Sequence, residues 1–158
     1  MTEINLVEEF DRDWDWFAIC TNSMIGHFTT AGIRALPKSV KRDRESTLRL
    51  IRYFFEEAPH TGSYIVHPDL EKKVGGWRGE SDRNRYLRSF LKTASTGLFS
   101  YDTQTSESNT DYFLVAIPQY PLRINDLPPE IRNLLVRTQS TYAFDRTADI
   151  ASADTTDW

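Results

Sequence analysis

Residues 14–20 (Trp14-Asp15-Trp16-Phe17-Ala18-Ile19-Cys20) are rich in aromatic and β-favouring side chains, and a similar run from Met24 to Thr30 follows the turn cluster Thr21-Asn22-Ser23. Two such runs joined by turn residues predict a β-hairpin. Gly32 and Pro37 interrupt the next stretch, and Ser39 stands where a helix cap belongs. From there to about Ala58, Leu48, Ile51, Tyr53, Phe54 and Phe55 recur near helical spacing among charges, predicting a long helix that Pro59 stops. Residues 63–66 read as a short strand, and His67-Pro68-Asp69-Leu70 opens a helical turn that Gly75-Gly76 ends. A second long helix is expected over 81–95, with Tyr86, Leu87, Phe90 and Leu91 as its buried stripe and Gly97 as its stop.

Residues 98–102 and 111–117 read as a second hairpin with a polar loop over 103–110. The unbroken apolar run 112–117 marks the strand covered on both faces. Pro118, Pro121, Pro128 and Pro129 punctuate the chain before a short helix over 129–136. The order of elements predicts an α+β fold: an antiparallel or mixed sheet of about five strands, two main helices and a short C-terminal helix. Residues 1–144 form the expected single domain, and 145–158 an acidic, polar tail.

Charge adds a second pattern. The net charge of −4 conceals an acidic start, a basic middle over residues 34–94 and an acidic end. The ends either create a dipolar surface or fold back and neutralise the middle. No run approaches the roughly 18 apolar residues of a membrane span, and the acidic first residues do not resemble a signal peptide. A soluble, cytoplasmic protein is therefore expected, without membrane contact. Cys20 is the only cysteine, so no internal disulfide is available.

Candidate chemistry is sparse. His27, His60 and His67 lack the spacing of zinc motifs, so His60 and His67 with Asp69 read as turn residues and no metal site is expected. Cys20 and His27 could pair as nucleophile and base only if the hairpin set them face to face, and a core cysteine is the commoner case. Asp13 and Asp15, two apart, share one face of a strand, with Trp14 and Trp16 on the other. Lys41, Arg42, Arg49 and Arg52, with Lys38, Arg44 and the basic residues of 83–92, offer an alternative nucleic-acid footprint, to which Tyr53 and Trp77 could add stacking. Interleaved acids favour the solvated face of amphipathic helices instead. Gly75-Gly76-Trp77-Arg78-Gly79 lacks the Gly-Lys-Ser/Thr ending of a phosphate loop.

The segments Asp13-Trp14-Asp15-Trp16-Phe17-Ala18-Ile19, Ile25-Gly26-His27-Phe28-Thr29-Thr30-Ala31-Gly32 and Leu36-Pro37 resemble the opening of small bacterial immunity proteins of polymorphic toxin systems. The likeness spans residues 13–37 and carries no catalytic motif. It implies a non-enzymatic inhibitor, without cofactor, that binds a cognate toxin domain in the cytoplasm and occludes its active site. The 4 Trp, 7 Tyr and 9 Phe exceed what one core of this size easily consumes, and the acidic ends suit a basic cleft. Candidate partner-binding residues are Asp11, Asp13, Asp15, Glu107, Asp145, Asp149, Asp154, Asp157 and Trp158.

Overall fold

The computed structural model describes residues 2–105, 110–146, 149–150 and 155–157. The strands are β1 (Asp15–Ile19), β2 (Ile25–Thr29), β3 (Tyr64–Val66), β4 (Phe99–Thr103), β5 (Tyr112–Pro118), β6 (Thr138–Ser140) and β7 (Thr155–Asp157). They form one mixed sheet of order β3-β5-β4-β2-β1-β6-β7. The hairpins β1–β2 and β4–β5 are antiparallel as expected, but β2 joins β4, and β1 joins β6, in parallel. The helices are α1 (Leu6–Asp11), α2 (Lys38–Lys41), α3 (Arg44–Arg52), α4 (Leu70–Val74), α5 (Glu80–Ser95) and α6 (Pro129–Leu135). The fold is α+β.

Alternation along β1 sends Trp16, Ala18 and Cys20 into one apolar cluster and Phe17 and Ile19 into another. Both faces of the sheet are thus covered, which is why β2 and β5 are buried at every position. Register sets an aromatic ladder across three strands. Trp16 lies opposite Phe28 and stacks on it at 4.3 Å, and Phe28 stacks on Tyr101 of β4 at 5.0 Å. Gly26 keeps room for it, since a Cβ there would stand 2.8 Å from the Phe28 ring and 2.9 Å from that of Phe144.

Three features depart from the sequence expectation. The long helix begins as two: Asp43 takes an extended backbone, accepts the Ser46 N–H and so caps α3 anew. Its end is a π-helical turn over Tyr53–Glu57, where the Ala58 N–H reaches the Tyr53 carbonyl at 2.8 Å. The polar end of the chain also joins the domain. Ile150 is buried in the core and bridges Tyr112, and β7 extends the sheet beside β6.

Candidate interaction surface

Helix α1 is only six residues long, too short to persist alone, so its position depends on what fixes it. Asn5 Oδ1 accepts the Val7 and Glu8 N–H groups at 3.0 Å, and the Glu8 carboxylate reaches back to the Asn5 N–H, closing a capping box. Ile4 before the helix and Trp14 after it are buried, and Trp14 Nε1 donates to the Glu8 carbonyl at 2.8 Å. Glu9 completes the anchorage. Only 2% exposed, it accepts Lys41 Nζ at 2.6 Å and the Leu36 N–H at 2.7 Å.

Such anchorage inverts the usual polarity of a surface helix: the glutamate is buried and the apolar residues face out. Leu6 is 69% exposed, Val7 76% and Phe10 45%. The turn after β2 adds Ile33, 58% exposed. This turn is tied to the helix end, because Asp13 Oδ1 accepts the Ala31 N–H at 2.7 Å and Gly32 packs against the backbone of Phe10 and Arg12. Acids outnumber bases beside these side chains, where Arg12 stacks on Trp14. Glu3, Asp11 and Asp13 are exposed, and Glu8 is shared with Arg44 at 3.3 Å. Although the residue as a whole is exposed, partial desolvation of its carboxyl in the turn, with Asp15 and Asp102 nearby, pushes Asp13 above its ordinary pKa despite the opposing Ala31 hydrogen bond.

No family model, curated protein or solved structure matches the chain. Its own geometry therefore carries the functional argument. Of the acids nominated from the sequence, Asp11 and Asp13 border this patch. Asp15 turns inward and meets His27 Nε2 at 2.6 Å. Asp149 is half-buried against Lys73 Nζ at 2.7 Å and the Leu114 N–H at 3.1 Å, with β4 and β2 separating β5 from β1. Asp145 is exposed, and Asp157 lies on β7 at the sheet edge. Glu107, Asp154 and Trp158 fall outside the described residues. The acids thus divide among several places. Leu6, Val7, Phe10 and Ile33 were not read as site residues, although Asn5-x-x-Glu8 is a legible helix start that would have drawn attention to them.

The histidines are structural in their placement. His27 is fully buried, its Nδ1 facing Thr93 Oγ1 at 3.0 Å and Ser100 Oγ at 3.3 Å while Nε2 meets Asp15. An Asp-His-Ser order is present here, but Ser100 has no exposed surface and no substrate reaches its hydroxyl. Cys20 sits across the sheet in the other cluster, so the two cannot act as a pair. His60 Nδ1 faces Ser95 Oγ at 2.7 Å, while His67 Nδ1 accepts the Asp69 N–H within its own turn. Among the described residues no three His, Cys, Asp or Glu side chains converge as ligands.

The basic middle is largely engaged by acids of the same chain. Lys41 pairs with Glu9, Arg49 with Glu57 at 3.0 Å, and Arg52 with Glu56 and Glu57 at 3.7 and 3.4 Å. Arg42 is exposed on the surface between α2 and α3. Tyr53 is buried and so offers no exposed ring for the stacking expected of a nucleic-acid footprint, while half-buried Trp77 packs on Tyr86 at 5.1 Å. No helix among the described residues is long and apolar enough to cross a membrane.

Proposed function

We propose that the chain is a non-enzymatic binding protein of the immunity type, which neutralises a bacterial toxin domain in the cytoplasm by covering its active site. The observation that carries this reading is the inverted helix α1. Leu6, Val7 and Phe10 face solvent although each would gain about 1.5–3 kcal/mol on full burial. A protein surface with apolar pockets recovers that energy, and the flanking Glu3, Glu8, Asp11 and Asp13 match a basic rim. Basic rims are what nuclease and nucleotide-using active sites present, so such a domain suits both halves of the patch.

The products of genes adjacent to the one encoding this chain are the first partners to examine. Co-expression should give a one-to-one complex in which the partner's activity is lost. Hydrogen exchange in that complex should slow at residues 3–13 and 30–34. A complex that protected neither segment would refute the placement of the surface, and the absence of any complex with these products would refute the immunity reading.

A further inference from the structure

A concavity lies at the other end of the strands from α1. It is a groove of about 480 Å³ between the π-helical turn, the C-terminal end of α5 and the 3₁₀ turn Ile124–Asp126. Its size is that of a small-molecule site rather than of a flat protein contact. The walls are mainly apolar: Ala58, Pro59, Leu122, Leu127 and Pro128. Gly97, at φ +107°, lets the chain fold beneath it, for a Cβ there would stand 2.8 Å from the Leu122 backbone nitrogen.

Two polar features give the groove a direction. Tyr53 lines it and is nine-tenths buried, yet its hydroxyl has no hydrogen-bond partner among the described residues. Burial, then the carboxylates of Glu130 and Glu57, push the pKa of this phenol up, so it remains a neutral donor and acceptor. Asp126 also lines the groove, and its carboxylate accepts the Arg123 N–H at 2.9 Å. The Arg123 guanidinium is turned elsewhere, to the Asn22 carbonyl at 2.8 Å, and Arg49 is held by Glu57. Among the described residues no side-chain cation pairs with the Asp126 carboxylate, so the groove carries a negative charge in its lining.

We propose that this groove binds a small organic cation, an amine or guanidine on an apolar stem, with the stem between Leu122, Leu127 and Ala58 and the head at Asp126 and the Tyr53 hydroxyl. An ammonium supplies the donors that the carboxylate and phenol oxygens lack. An anion of the same shape meets like charge, and a neutral analogue loses the charge-assisted hydrogen bonds. The site is remote from α1 and does not depend on the partner reading.

The test is an NMR titration of the ¹⁵N-labelled full chain with phenethylamine, 2-phenylethanol and 3-phenylpropionate. Phenethylamine should give saturable shifts at the amides of Thr96, Leu122 and Leu127, with affinity at least about tenfold above the other two. Asp126→Asn retains an acceptor for the Arg123 N–H, and Tyr53→Phe retains the ring. Each should weaken phenethylamine several-fold with the rest of the spectrum intact. Equal binding of the three probes, unchanged affinity in Asp126→Asn, or no shift at the groove amides would each overturn the assignment.

Discussion

Glu9 shows how one residue sets the character of a surface. With its carboxylate held by Lys41 and the Leu36 N–H, α1 cannot roll its apolar side inward without breaking a buried ion pair. Glu9→Ala leaves that N–H unsatisfied and Lys41 unpaired, and should cost about 2–3 kcal/mol in urea denaturation. Asp13 acts in the opposite sense. Its folded-state pKa is raised, so the stability linked to protonation is complete below the unfolded value near 4 and disappears as pH rises through the higher folded value. Asp13→Asn, which retains an acceptor for the Ala31 N–H, should therefore raise Tm at pH 7. A lower Tm would show that the ionised carboxylate stabilises the turn. A carboxylate kept against stability at the edge of an apolar patch fits a binding role.

At the scale of elements, the aromatic runs of β1, β2 and β5 were legible because burial of both strand faces leaves a dense apolar record. The helix over 81–95 was legible from its stripe. Other elements left less in the sequence. β6 and β7 have three residues each, Thr-Gln-Ser and Thr-Thr-Asp, and their strand state follows from the neighbours they pair with. Helix α1, at six residues, is too short for periodicity to declare it, and which of its faces is buried is set by the Glu9 and Trp14 contacts rather than by its pattern. The break before α3 falls in the charged stretch 41–47, which carries no apolar periodicity to mark where one helix ends and the next begins. Asp43 in that stretch also gives a pH prediction. Burial opposes its charge, but the Ser46 hydroxyl and N–H and the Arg137 guanidinium outweigh it and hold the pKa low. The stability this supplies is complete above the unfolded value near 4 and is lost as pH falls through the lower folded value. Acid titrations of Asp43→Asn should show lower stability at pH 7 and a shallower loss below pH 4. An unchanged acid limb would assign the loss to other carboxylates.

Across the whole molecule, the segregation of charge along the chain largely disappears in space. The acidic start reaches the basic middle through Glu9 with Lys41 and Glu8 with Arg44, and the acidic end does so through Asp149 with Lys73. Of the two outcomes the sequence left open, folding back accounts for these pairs. Of the acids outside these pairs, Glu3, Asp11 and Asp13 lie beside α1 and Asp126 lines the groove at the far end of the strands. The candidate surface was thus only half legible: Asp11 and Asp13 were in the sequence reading, whereas the apolar centre required knowledge of which way α1 faces. The most direct measurement is calorimetric titration of the neighbouring-gene partner with the native chain and with Leu6→Asp, Val7→Asp. Both residues are exposed, so the double variant should keep its Tm within about 2 °C while affinity falls at least about a hundredfold. Undiminished affinity in a folded variant would contradict the account.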